Sequence, residues 1–419
     1  MKEIMFSFFL WLPVAGTYAQ TTLDECRRKA QEHYPLVRRY SLIERAKAYN
    51  IENASKGYLP QFAFSAKATY QSDVTELPLK IPNIDMKGIP KDQYLVMLEL
   101  QQNVWDSGKI RIQKKQAAAE AEIERQNVNV EMYALNSRIN RLFFGILLLD
   151  EQLKQNILLQ EELKRNEQQI TAYRKYGIAN RSDLDAVSVE LLNTRQKQME
   201  LSTLRAAYLK MLSLFVGEEL LPETVLEKPV LVKPFSDTEE IYRPELLWFD
   251  ARKNGIHVQE KALNIRHLPH LSLFAQGAYG NPGLNMLKNK FSPFYVAGLR
   301  LVWNFGSLYT LKNDRKLISD RYRQIDNSRD IFLFNTRLQM VQQRQAIRSL
   351  EQQMQDDDEI IRLRGNIRRS AEAKVANGTL TVTELLRELT AESLARQTKA
   401  LHEIQWLMAI YELKHTTNH

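Results

Sequence analysis

From Phe62 the chain alternates. Phe62, Phe64, Ala66, Ala68 and Tyr70 fall on one side of an extended backbone, and Ala63, Ser65, Lys67, Thr69 and Gln71 on the other. That period of two is the signature of a strand. A second segment repeats it: Leu271, Leu273, Ala275, Gly277 and Tyr279 share a face, with Phe274 out of place on the polar side. Strands are therefore expected at 61–71 and 270–279, with return strands at 94–105 and 294–303 whose facing Glu99 and Arg300 leave open. Elsewhere the apolar period is helical. Leu153, Ile157, Leu163 and Ile170 recur at mixed steps of three and four, as packed helices need. No proline occurs between Pro90 and Pro222 or after Pro293, and only proline-free stretches sustain very long helices.

The elements come in two copies. Tyr58-Leu59-Pro60-Gln61-Phe62 answers His267-Leu268-Pro269-His270-Leu271, and Tyr34-Pro35 answers Arg243-Pro244 at the same interval. Val104-Trp105-Asp106 with Gly108 matches Val302-Trp303-Asn304 with Gly306. Tyr176-Gly177-Ile178 with Ser182-Asp183-Leu184 matches Asn377-Gly378-Thr379 with Thr383-Glu384-Leu385. The first repeat, 20–217, predicts a helix at 24–57, the two strands, and helices at 109–176 and 182–215. A linker at 218–236 leads to the second, 237–419, with helices at 237–266, 308–375 and 383–414. The long helix reaches ~100 Å at ~1.5 Å per residue, and the two shorter ones stacked end to end reach the same length. Each repeat then packs one continuous helix against two.

An expected signal peptide covers 1–19: Lys2, the apolar run Ile4 to Leu12, and Thr17-Tyr18-Ala19 before the cleavage point. The run is too short for a bilayer core, which takes roughly 20 residues. The next most apolar stretch, Leu142 to Leu149, is flanked by Arg141 and Asp150 and reads as core. An exported membrane protein without spanning helices must use a barrel. The strands suit one, with apolar side chains toward lipid and Ser, Lys, Thr and Gln toward water. Four strands close no barrel, since about eight is the minimum. The chain must therefore share one with copies of itself, three giving twelve strands. Irregular loops at 72–93 and 280–292 join the strand pairs.

Composition adds exclusions. The net charge of +8 is spread along the helices without clustered aromatics, so no nucleic-acid groove is expected. Cys26 is the single cysteine, so it forms no internal disulfide; nothing before it resembles a lipobox, and it reads as a small buried residue. His267 and His270 form an H-x-x-H at a strand start, where positions three apart face opposite ways, so no metal is expected. Asp356-Asp357-Asp358-Glu359 reads as a solvated helix face. No phosphate-binding loop or nucleophile motif is present, and neither enzyme activity nor a cofactor is expected.

The opening LDECRRKAQEHYP, the paired YLPQF and HLPHL, NVWDSG and LVWNFG, and the turns YGIANRSDLDA and NGTLTVTELL together resemble the TolC-like outer-membrane efflux family. The resemblance covers nearly the whole chain after 1–19. It implies a mainly α fold with membrane β-structure: a homotrimer with a twelve-stranded barrel in outer-membrane lipid, continued by a long periplasmic α-helical barrel. It implies a passive exit duct serving an inner-membrane pump, of RND or ABC type, through a periplasmic adaptor. By the same resemblance, Gly177, Ile178, Ser182, Asp183, Leu184, Gly378, Thr379, Leu380, Thr383 and Leu385 belong to adaptor-facing helical tips, with Ser182 and Thr383 as expected N-caps. The family's acidic pore ring falls on Glu384, and a second acidic position is replaced by Arg387. Six such side chains from three copies would make an ion-paired ring. A periplasmic coiled-coil scaffold would account for the helices but not for the leader or strands.

Overall fold

Pro35 stops the first helix. Its ring disfavours helical backbone at the residue before it, and Tyr34 is extended at φ −62°, ψ 131°. The computed structural model of the chain describes residues 21–74, 89–177, 179–230, 240–286 and 288–418. In place of one helix over 24–57 there are two: α1 (Leu23–His33) and α2 (Arg38–Ser55), separated by a 3-10 turn at Pro35–Val37. Strands β1 (Gln61–Tyr70) and β2 (Asp92–Trp105) follow, then α3 (Lys109–Lys175) and α4 (Arg181–Val216). The second repeat runs α5 (Pro244–Arg266), β3 (His270–Asn281), β4 (Ser292–Val302), α6 (Leu308–Ala376) and α7 (Val382–Thr417). α5 begins at Pro244, later than its expected start at 237, because proline fits the first helical position and no interior one. The expected leader 1–19, Pro78 and Pro82, Ile178 and the end of the 218–236 linker lie outside the described residues.

The duplication is visible in small chemistry. Asp106 opens α3 by accepting from the backbone N–H groups of Gly108 at 2.9 Å and Ile110 at 2.8 Å. Its counterpart Asn304 accepts from Gly306 N–H at 3.1 Å, before α6. Both satisfy N–H groups that a helix start leaves without partners.

The chain divides into two compact units. One comprises Arg38–Val130 and Pro244–Phe332. It holds a four-stranded antiparallel sheet in the order β1-β2-β3-β4, together with α2, α5 and the strand-proximal parts of α3 and α6. The register settles the facing of the return strands. Phe62, Phe64 and Ala66 lie opposite Leu100, Leu98 and Val96. Those align in turn with Ala275, Gly277 and Tyr279, and these with Ala297, Tyr295 and Pro293. One face is thus apolar across all four strands. Glu99, opposite Ala63 and Gln276, and Arg300, opposite Ser272, share the other face with Lys67. Aromatic rings collect at both ends: Tyr94 and Tyr279 stack on Phe291 at the loop end, and Trp303 packs on Phe305 at the helix end.

The other unit comprises Met1–Val37, Glu131–Arg243 and Leu333–His419. Its main core joins Leu23, Cys26 and Ala30 of α1 to Leu135, Ile139, Phe143, Phe144 and Ile146 of α3, Leu212 and Val216 of α4, and Ile404 and Leu407 of α7. The apolar stretch at Leu142 to Leu149 is therefore core. Among the described residues no helix is long and apolar enough to cross a membrane. Arg205 of α4 fastens the start of the linker, pairing with Asp150 and donating to the carbonyls of Pro222 and Thr224.

Candidate functional site

Two helical hairpins, α3–α4 and α6–α7, end side by side. Leu163 and Ile170 of α3, Val187 and Leu191 of α4, Ala371 and Val375 of α6, and Val382, Leu385, Leu386 and Leu389 of α7 bury one another there. Gly177 and Gly378 make the turns at φ +75° and +69°. A side chain at either would meet nothing within 4 Å. Glycine is needed for its backbone, since the left-handed region costs other residues ~1–2 kcal/mol. Gly378 and Thr379 return their N–H groups to the carbonyls of Val375 and Lys374, both at 2.9 Å, closing the end of α6.

The caps differ from expectation. Asn180 and Thr381 hold the N-cap positions, not Ser182 and Thr383. Both have extended backbone and a side-chain oxygen that reaches the third helical N–H, which residues already inside the first turn cannot do. Asn180 accepts from Asp183 N–H at 3.0 Å, while Asp183 accepts from Asn180 N–H at 2.9 Å. Thr381 and Glu384 make the matching pair at 3.2 and 3.1 Å. Ser182 donates its hydroxyl to the Asn180 cap at 2.6 Å.

Glu384, expected in the pore ring, is exposed but tied back. Its carboxylate also accepts the Thr381 hydroxyl at 2.9 Å. The Thr381 N–H, then the Thr381 hydroxyl, then the charge of Arg387 hold it below the usual carboxylate range. Arg387, also exposed, lies one turn further on and donates to Glu388 at 3.4 Å. Of the tip residues, Gly177, Ser182, Gly378, Thr379 and Thr383 are exposed, and Asp183, Leu184 and Leu380 half-buried. Leu385 is buried in the tip core, which takes its side chain off the expected docking surface. It falls on the apolar face of α7 with Val382, Leu386 and Leu389.

Sequence reasoning missed a charge cluster behind the tips. Arg368 of α6 donates to Glu162 of α3 at 2.7 Å, Glu372 of α6 at 2.6 Å and Glu392 of α7 at 2.7 Å. Arg396 closes on the same Glu392 at 2.6 Å. Glu392 is only 5 % exposed. Burial lowers the Arg368 pKa and the three carboxylates raise it, for a net upward shift. Spacing within α6 and α7 marks these residues as charged surface; only the packing of three helices reveals the cluster. The acidic run on α6 is likewise not all solvated. Asp357 is 4 % exposed and bonds His402 of α7 at 2.9 Å, while Asp358 and Glu359 pair outward with Lys399 and Arg362. Successive helical positions are rotated by about 100°, so a run of four spans faces in different environments.

Cys26 is fully buried, and burial pushes its thiol up to about 11. His267 is buried with its Nδ1 on Ser307 at 2.8 Å, and His270 is exposed on β3. Among the described residues no group of His, Cys, Asp or Glu is placed to hold a metal.

Residues 27–218 match the outer membrane efflux protein family. No curated protein matches the sequence. Among solved structures the chain is similar to the outer membrane protein VceC from Vibrio cholerae, at TM-score 0.66 and 12 % identity over 94 % of this chain and 95 % of that one. It is also similar to the Campylobacter jejuni CmeC outer membrane channel, at 0.64 and 14 % over 100 % and 93 %. The open-state Neisseria gonorrhoeae MtrE outer membrane channel gives 0.66 and 12 % over 94 % and 88 %. At these identities the likeness is one of fold.

Proposed function

Since residues 27–218 belong to the outer membrane efflux protein family, we propose that the chain is the outer-membrane exit duct of a tripartite efflux or secretion system. The observation that carries this reading is the sheet. Its apolar face exposes Phe62, Phe64, Leu98, Tyr295 and Leu299, and its other face carries Lys67, Glu99 and Arg300. Its edges, β1 and β4, are each paired on one side only. Unpaired backbone groups in lipid cost several kcal/mol each, so a spanning sheet must close. The edge strands run in opposite directions, so β4 of one copy meets β1 of the next antiparallel. Three copies close a twelve-stranded barrel around the polar face.

The helices support the same assembly. On α6, Ile331, Phe334, Leu338 and Val341 are exposed, and further along so are Ile360, Leu363 and Ile367. Their steps of three and four make apolar seams suited to helices of neighbouring copies. The duct is passive. The tip residues Gly177, Ile178, Ser182, Asp183, Leu184, Gly378, Thr379, Leu380 and Thr383 meet a periplasmic adaptor. Glu384 and Arg387 line the aperture, and an inner-membrane pump of RND or ABC type supplies the energy. A tagged chain extracted from the outer membrane is expected to bring down an adaptor and a pump subunit. Recovery of the chain in the soluble fraction, with neither, contradicts the proposal.

A further inference from the structure

Phe274 breaks the alternation of β3, and the structure shows what it does there. It stands on the charged face of the sheet, opposite Gly298. A methyl at Gly298 would come 3.2 Å from the ring, so the ring lies across a strand that has no side chain at that point. The Arg300 guanidinium sits over the same ring, 4.7 Å from its centroid, an attraction of the cation for the ring face. Arg300 also reaches Glu99 across β3 at 3.8 Å. Phe274, Arg300 and Glu99 thus form one stack on the wet face, in which the acid and the guanidinium offset each other.

Within the paired strands the same face carries one further charge, Lys67, opposite Leu95. Among the described residues it makes no ion pair. From Glu99, opposite Ala63, Lys67 lies four residues along β1, ~13 Å at ~3.3 Å per residue. That exceeds a Debye length of ~8 Å at physiological salt. Glu99 therefore does not neutralise it. Between Phe62 and Ala68 the apolar face carries no charge, nor do the segments paired with that stretch; Asp92, opposite Tyr70, stands at its loop end.

On the reading that this face lines a water-filled lumen, we propose that the strand-walled section of the duct prefers anions. Lys67 is the uncompensated charge that sets the preference, and the Phe274–Arg300–Glu99 stack is a balanced pair beside it. A ring of three Lys67 ammoniums, one from each copy, attracts small inorganic and organic anions and repels cations. The low-dielectric barrel wall strengthens the effect by focusing the field into the lumen.

The test is ion selectivity of the full-length protein in planar bilayers under a potassium chloride gradient. At ~0.1 M salt, where screening extends only over ~10 Å, the wild type is expected to pass chloride in preference to potassium; at ~1 M, with ~3 Å screening, the preference should fade. Lys67→Gln is expected to lower the chloride-to-potassium ratio severalfold, and Lys67→Glu to invert it. Glu99→Gln, which frees the Arg300 charge, should raise the ratio, and Arg300→Gln should lower it. All four replace exposed or half-exposed side chains in a sheet whose pairing is made by backbone. Recovery of each variant as the same oligomer as wild type verifies folding. If the variants conduct and the ratio stays at the wild-type value, the preference arises elsewhere and the proposal is overturned. If the wild type itself forms no conducting species, the channel reading fails, and this inference with it.

Discussion

Arg368 on α6 donates to Glu162 on α3 at 2.7 Å, and so ties the second helical hairpin to the first. The same guanidinium holds the buried Glu392 on α7. Removing one member of a buried ion pair leaves the other charge without compensation, which costs about 3–5 kcal/mol. Arg368→Ala is therefore expected to lower the stability of the helical unit by that order, measured by urea unfolding. Glu162→Gln, on a more exposed partner, should cost much less. Equal, negligible effects of the two would show that the cluster is a solvated surface network.

A pH dependence follows from the other end of α7. His415 stacks on Tyr133 at 4.3 Å, with Arg243 over the same tyrosine. Burial first, then Arg243, Arg27 and Arg141, hold its imidazole down to about 4 from 6.5. The unfolded chain takes up the proton near 6.5 and the folded chain only near 4. Stability is therefore full above pH 6.5 and falls as the pH drops through that window, by up to about 3 kcal/mol. Urea midpoints at pH 7.5 and 4.5 should differ more in the wild type than in His415→Gln. An identical difference in the two would remove His415 from the account.

At the tip, Thr381→Ala takes away the cap of α7 and should cost ~1 kcal/mol. It also removes the hydroxyl bond to the Glu384 carboxylate and leaves the bond from the backbone N–H of residue 381 in place, so that carboxyl should titrate at a higher pH in the variant while staying below the usual carboxylate range. In the wild type the depressed pKa means that the Glu384 contribution is present above the normal carboxylate range. It is lost as the pH falls through the lower folded value. Hydrogen exchange in the first turn of α7 reads both effects, and unchanged protection in Thr381→Ala would contradict the capping assignment.

The two faces of the sheet give a paired prediction. Leu98→Arg places a charge on the apolar face, where lipid near the bilayer midplane charges ~2–4 kcal/mol for it. Met97→Arg, one residue away on β2, faces the other side and should be tolerated. The yield of heat-resistant oligomer in the outer membrane compares them. Equal yields would mean that the apolar face does not meet lipid.

How much of this was legible in the chain depends on the range of the interactions. The strand pattern from Phe62 to Tyr70 needs only local alternation, and it stands in the structure as read. Glu99 and Arg300 could not be placed from their own strands, because their facing follows from registers with Ala63, Gln276 and Ser272. The tip caps were within reach. Asn180 and Asp183, like Thr381 and Glu384, have the spacing of a capping box, which puts each cap two residues before Ser182 and Thr383. The burial of Asp357, Glu392 and Leu385 depends on which helix lies alongside, and a single sequence does not display that. Pro35 and Pro244 mark the repeat and also, by proline stereochemistry, the helix boundaries beside them.

On the proposed function, one chain is a third of a membrane channel. The most direct measurement is the native mass of the protein extracted in detergent from the outer-membrane fraction. Three copies of the chain and no cofactor are expected. A single chain, or a protein found only in the soluble periplasmic fraction, would contradict that function.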